Sequence, residues 1–216
     1  MTTETDSEPP SVLEAIAARR SIRRYAQWPV PRDVVERLLM AAISAPSAHN
    51  RQPWRFVVLD SAEAKVALAD AMGRRLRADR ELDGDSALAI RDDVERSYQR
   101  ITGAPVAILV CMTMEDMDRY PDSRRQGAER HMAIQGTAMA VQNLLLAAHA
   151  NGLGASWLCA PLFCPDTVAR ALALADAWEP QALVTLGYPA NAGKPFRRRS
   201  LKDVVRYISS RSAGGT

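Results

Sequence analysis

The chain has 216 residues, 47% of them hydrophobic and 25% charged, with a formal net charge of +3. That is the composition of an ordinary globular domain with material for a full core. It excludes two partner classes: no apolar run approaches the roughly 18–20 residues of a membrane-spanning helix, and the small net charge argues against nucleic acid.

Met1 to Pro10 is polar and acidic, without the basic and apolar regions of a signal peptide, so it reads as a disordered tail before a cytoplasmic domain. One domain is expected over residues 11–208, followed by a flexible C-terminus at 209–216. Cys111, Cys159 and Cys164 cannot all pair with one another, and lack the second pair or the nearby histidines that a zinc site needs. They are read as reduced thiols in or near the core, with no metal site.

In chain order, Ser11 and Glu14 form a capping box that opens a helix ending about Arg20. A second helix is predicted from Pro31. Its apolar positions Val34, Val35, Leu38, Leu39, Ala42 and Ile43 recur at helical spacing, and Ala45-Pro46 stops it. A polar loop, Ser47 to Pro53, leads to a strand over Arg55–Leu59. Ala62–Met72 is predicted helical, and Gly73–Arg100 is charge-rich, weakly patterned and expected to form exposed helices over a groove. Pro105–Cys111 reads as a strand buried on both faces.

The longest helix is predicted over about Gln126–Asn151. It is apolar nearly all round from Ala138 to Ala148 and so expected to be buried, between subunits. Asn151-Gly152 suits its C-terminal stop. A strand follows (Leu153–Cys159), then a helix from Pro165 to Leu172, and a last strand (Ala182–Gly187). The tail carries Arg197–Arg199 and an amphipathic end, Leu201, Val204, Val205 and Ile208. The order predicts an α+β fold with a small central mixed sheet surrounded by helices. The lone Gly152-Leu153-Gly154 leads out of a helix into a strand, the reverse of the dinucleotide fingerprint.

No self-sufficient catalytic set is visible. His49, His131 and His149 are scattered, none beside a nucleophile, and no carboxylate pair stands out, so no catalytic side chain is assigned and a cofactor is expected to carry any reaction. Two arginine blocks are the other feature, at Arg19, Arg20, Arg23 and Arg24 and at Arg197–Arg199. Together they suit a small anion such as phosphate; a helix complementing its own dipole accounts for one such arginine.

Arg19-Arg20-Ser21-Ile22-Arg23 with Tyr25, and the loop Ala45 to Phe56, resemble the flavin motifs of the FMN-dependent nitroreductases. Ala140 to Asn143, Gly152 to Gly154 with Trp157, Gly187 to Pro189, and Arg198 with Leu201, Val204 and Val205 follow in that family's order, over roughly residues 12 to 206. The resemblance implies a nitroreductase-like fold, FMN as cofactor and a homodimer with the long helix at its interface. NAD(P)H is implied as donor and a planar organic molecule (nitroaromatic, quinone or deazaflavin precursor) as acceptor.

It further implies that Arg19, Arg20, Ser21 and Arg23 meet the flavin phosphate and ribityl chain. Pro46, Ser47, Ala48 and Asn50 reach the partner's flavin. Trp157, Leu158, Cys159 and Ala160 run along the ring, meeting its reactive edge through the backbone, and Arg198 lies near the phosphate or the N1–C2 edge. Many relatives carry Gly or Glu where Cys159 and Ala160 stand. Tyr120–Arg125, Ala128–Arg130, Ala140–Leu145 and Leu162–Asp166 are in addition similar to the C-terminal flavin reductase domain of the bifunctional deazaflavin-coenzyme glutamyl ligase. The ligase half is expected to be absent here, and that relative has His and Pro in place of Ser47 and Asn50. A protein that binds or stores flavin without turnover is the alternative.

Overall fold

A computed structural model describes residues 10–208; of the expected tails, 1–10 and 209–216, all but Pro10 lies outside the described residues. The central sheet has four strands: β1 (Trp54–Leu59), β2 (Val106–Met112), β3 (Gly154–Leu158) and β4 (Glu179–Gly187), in spatial order β1-β2-β4-β3. The sequence predicts a mixed sheet. The four strands all pair antiparallel, and the parallel component is a single bridge between Ser21 and Ala155, on the outer edge of β3.

Strand side chains alternate between two faces, and each face meets its own helical layer. Trp54, Val106, Ile108, Val110, Ala155, Ala182, Val184 and Leu186 point to one side. They pack there on Val35 and Leu38 of α2 (Arg32–Ile43) and on Val141 and Leu144 of α5 (Ser123–Ala150). Leu59, Ala107, Leu109, Cys111 and Leu183 point to the other side. They meet Leu68 and Met72 of α3 (Ala62–Leu82), Ile101 of α4 (Ala87–Thr102) and Val168 of α6 (Pro165–Ala171). β2 is buried at every residue, as its unbroken apolar run predicts.

Local signals hold where expected. α1 (Val12–Ala18) opens on the Ser11–Glu14 capping box and stops two residues before Arg20. Pro31 is the residue that precedes α2, not its first helical residue. With 28 residues, α5 spans about 42 Å at ~1.5 Å per residue. It ends in a Schellman pattern, with Gly152 N–H donating to His149 and Leu153 N–H to Ala148. None of the described helices is long and apolar enough to cross a membrane.

The span after Met72 is helical, as expected, but without a break at Gly73. α3 runs on through Gly73 to Leu82 and pairs with α4 as a helical hairpin. A mid-helix glycine costs only about 1 kcal/mol. Here Gly73 faces Val94 of α4, where a Cβ would come within 3.3 Å of the valine. Close helix packing therefore outweighs the weak local pattern.

Candidate functional site

Beyond Ala18 the chain turns extended and passes the outer edge of β3. Ile22 N–H donates to the Ala155 carbonyl at 3.0 Å, fixing Ser21 beside the strand. The approach is close: a Cβ on Gly154 would lie 2.7 Å from Ile22, so only glycine admits this crossing. Three residues on, Tyr25 anchors the segment across the end of β4. Its hydroxyl donates to a backbone carbonyl, that of Ile22 lying at 2.6 Å and that of Thr185 at 3.0 Å, and lies 2.8 Å from Thr185 Oγ1. Burial pushes the Tyr25 phenol up to about 12, the Thr185 hydroxyl opposing the shift, so it remains a neutral donor.

This anchored crossing brings two distant stretches to one corner. Arg19, Arg20, Ser21 and Arg23 line a cavity of about 180 Å³ with Lys194, Phe196 and Arg198. The guanidinium carbons of Arg20 and Arg198 stand 4.0 and 3.9 Å from the Phe196 ring centroid, so one aromatic ring restrains both cations. Arg20 also donates to the carbonyls of Ala17, Ala18 and Arg19 at 2.7–2.9 Å, closing the C-terminus of α1. Its guanidinium therefore serves the helix as well as the cavity. Arg19 is held below the usual arginine range, first by burial and then by repulsion from Arg198 and Arg20. Among the described residues no carboxylate pairs with Arg19, Arg20, Arg23, Lys194 or Arg198. The cavity is an uncompensated positive pocket, matched to a small multivalent anion.

Trp157, Leu158, Cys159 and Ala160 continue along the same edge strand. Trp157 and Leu158 are half-buried, Cys159 is exposed and unpaired, and Ala160 is half-buried in the short helical turn that follows. Two buried polar atoms on this edge lack protein partners among the described residues: the Trp157 indole Nε1 and the Ser156 hydroxyl. Buried polar atoms in this state are expected to meet ordered water, a ligand or another chain.

The loop carrying Pro46, Ser47, Ala48 and Asn50 lies elsewhere. It precedes Trp54, which aligns through Met112 with Glu179, whereas Gly154 aligns with Gly187 at the other end of the sheet. The loop and the arginine corner thus sit at diagonally opposite corners. They are separated by roughly 15–20 Å along the strands and about 14 Å across three strand spacings. One chain does not bring these two residue sets together. The loop is held in an unusual shape, with His49, Asn50 and Gln52 at φ 49°, 55° and 49°. Gln52 N–H donates to Ser47 Oγ at 3.0 Å, Arg51 pairs with Asp118, and Ser47 rests on Gly136 of α5, where a Cβ would approach to 3.3 Å. Such left-handed backbone costs of order 1–3 kcal/mol per residue and clusters at functional sites.

The nitroreductase family profile matches residues 16–188. The chain belongs to the nitroreductase family. It is 34% identical to an NADH dehydrogenase of Thermus thermophilus, over 90% of this chain and 96% of that protein. It is 31% identical to the 5,6-dimethylbenzimidazole synthase of Rhodospirillum rubrum, over 79% of this chain and 78% of that one. A nitroreductase-type protein of Desulfovibrio desulfuricans, crystallised with FMN, superposes with a TM-score of 0.71 at 33% identity, covering 93% of this chain and 98% of its own.

Within this nitroreductase-family fold, sequence reasoning missed Lys194 and Phe196, which complete the arginine corner. They lie in irregular chain after β4, where no periodicity marks them; only their closeness to Arg198 could have flagged them. In the span read as exposed helices, two arginines are engaged by aspartates. Arg75 bonds Asp79 at 2.8 Å, and Arg80 pairs with both Asp85 and Asp93.

Proposed function

We propose that the chain is an FMN-dependent oxidoreductase that takes electrons from NAD(P)H and passes them to a planar organic acceptor. The observation that carries this is the corner of five cations without a carboxylate, strung along the edge strand that leads to the unpartnered Trp157 indole. These residues fit the cofactor. Arg19, Arg23 and Ser21 supply guanidinium forks and a hydroxyl for the dianionic phosphate, and Arg198 is steered toward it by Phe196. Bound FMN supplies the electron-carrying chemistry that no side chain here provides. The backbone of Trp157 to Ala160 would line the ring edge in this reading.

The site is completed by a second copy of the chain. Its Pro46, Ser47, Ala48 and Asn50 would supply the wall that the same chain's loop, at the opposite corner of its sheet, cannot reach. The apolar surface left uncovered supports this: Val12, Leu13 and Ile16 on α1, Ile134 and Met139 on α5, and Leu201 and Val204 in the C-terminal stretch are all exposed. Among acceptors, a dehydro precursor of a deazaflavin coenzyme is the leading specialisation, supported by the Tyr120–Arg125 and Leu162–Asp166 similarities.

The test is direct. The purified protein is expected to be a yellow dimer whose flavin band bleaches when NADH or NADPH is added without oxygen. Flavin that stays oxidised with both nucleotides would point to storage. Colourless protein whose melting temperature does not rise with added FMN would end the flavin reading.

A further inference from the structure

Lys65, in the first turn of α3, is only 7% exposed; among the described residues it and Glu129 are the buried charged side chains. No carboxylate pairs with Lys65 among those residues. Its Nζ instead donates to two successive backbone carbonyls, Ala104 at 2.6 Å and Pro105 at 2.8 Å. These carbonyls lie in the link between the end of α4 at Thr102 and the start of β2 at Val106, outside both hydrogen-bond ladders. Burial lowers the proton affinity of the lysine, and the Asp60 carboxylate opposes that shift. An apolar side chain at 65 would avoid the burial cost of the amine, but it would leave two buried carbonyls without this donor.

The same link supports the crossing that carries the arginines. Ala104 is 1% exposed and forms a closed apolar cluster with Ile22 and Tyr25. Pro105 packs on the end of β4, where a Cβ on Gly187 would lie 2.6 Å from the proline Cδ and 3.1 Å from Tyr25 Cβ. Gln27 Nε2 donates to the Gly103 carbonyl at 3.4 Å. Residues 103–105 therefore meet α3 through Lys65 and the crossing through Ile22, Tyr25 and Gln27. Ile22 stands between Ser21 and Arg23, so a displaced link moves both of these groups. Lys65 itself does not line the arginine corner.

We propose that Lys65 is a positioning residue for the cofactor site. By holding the Ala104 and Pro105 carbonyls it fixes the shelf under Ile22 and Tyr25, and through them the spacing of Arg19, Ser21 and Arg23 around the flavin phosphate. The proposal rests on the flavin reading above. A lysine that served stability alone would change the melting temperature and leave phosphate recognition as it was. A positioning lysine changes the preference for FMN over riboflavin, which has the same ring and ribityl chain without the phosphate.

The experiment compares Lys65→Met, Lys65→Arg and Leu68→Ala in the full chain. Leu68 is buried on the same helix but belongs to the core around Leu109 and Val168, apart from the Ile22–Tyr25–Ala104 cluster. The Kd of FMN and of riboflavin is measured by fluorescence titration of the apoprotein, and stability by melting temperature. Lys65→Met is expected to weaken FMN by about tenfold or more and riboflavin by less than about threefold. Lys65→Arg, which keeps the donors, should bring FMN back to within about threefold of wild type. Leu68→Ala should lower the melting temperature while leaving the ratio of the two affinities unchanged. Should Lys65→Met fail to fold, Lys65→Gln, which retains one amide donor group, decides by the same ratio. A position-65 variant that keeps the wild-type ratio, or a Leu68→Ala that shifts it equally, overturns the positioning role alone. Wild-type protein that takes up no FMN overturns the flavin reading, and the positioning role with it.

Discussion

Arginines gather in two regions of this protein, in opposite surroundings. In the α3–α4 hairpin each of three arginines meets aspartate: Arg75 with Asp79, Arg80 with Asp85 and Asp93, Arg96 with Asp93. Around Ser21, the arginines at 19, 20, 23 and 198 meet other cations, an aromatic ring and backbone carbonyls instead. The first arrangement neutralises itself and steadies a solvent-exposed helix pair by up to about 1 kcal/mol per exposed pair. The second leaves its charge available and carries a standing repulsion, which adds to burial in lowering the proton affinity of Arg19. Density of arginine alone does not mark an anion site; the absence of matching carboxylates does.

The largest effect should come from removing charge at the corner and comparing it with the same loss in the hairpin. Arg19→Ala/Arg23→Ala is expected to weaken FMN binding at least 100-fold and yield colourless but folded protein. Charge-assisted hydrogen bonds are worth about 1.5–3 kcal/mol each, and every ~1.4 kcal/mol is tenfold in affinity. Arg75→Ala/Arg80→Ala should retain stoichiometric FMN and lower the melting temperature by only a few degrees. Absorbance after dialysis with circular dichroism distinguishes the two, and full flavin content in the first variant would abolish the contrast.

Phe196→Leu should have a smaller effect, about tenfold in the Kd of FMN. Two guanidinium contacts at ~0.5–1 kcal/mol each are lost while every charge remains. Fluorescence titration of the flavin measures it, and an unchanged Kd would mean that the ring does not hold Arg20 and Arg198 in place.

The smallest effect concerns the anchor under the corner. Burial raises Tyr25 from an ordinary 10.0 to about 12 and Cys111 from 9.0 to about 12. Both groups are held neutral by the fold, so their contribution is fully present below pH 9. It is lost as pH rises toward about 12, because the unfolded chain gives up these protons first. Arg75 and Arg80, raised above the usual arginine range by hydrogen bonds to their aspartates, keep their charges across that window. Melting temperature should therefore decline between about pH 9 and 12 in wild type, with the same slope in Arg75→Ala. A flat profile would place both groups in water.

Much of this fold was legible locally. The capping box at Ser11, the period of α2, the apolar run of β2 and the Gly152 stop of α5 each rest on contacts within a few residues, which a sequence displays directly. The extension of α3 past Gly73 was not, because it depends on Val94 in another helix. At the site, Arg19, Arg20, Ser21, Arg23 and Arg198 could be named from their motif, and the structure brings them around one cavity. Lys194 and Phe196 could not, since an irregular segment carries no period.

The two arginine blocks and the polar loop at Pro46 to Asn50 were determined by the sequence itself. It could not decide which arginines remain uncompensated. Only the tertiary structure did so, because charge pairing is set by which elements pack together. Residues 19–25 reach residues 194–198 through the Ile22–Ala155 bond and the Tyr25–Thr185 anchor, while Arg75, Arg80 and Arg96 fold onto aspartates of their own hairpin. The same tertiary register placed the Pro46 to Asn50 loop at the far corner of the sheet. One chain therefore holds the loop and the arginine corner apart.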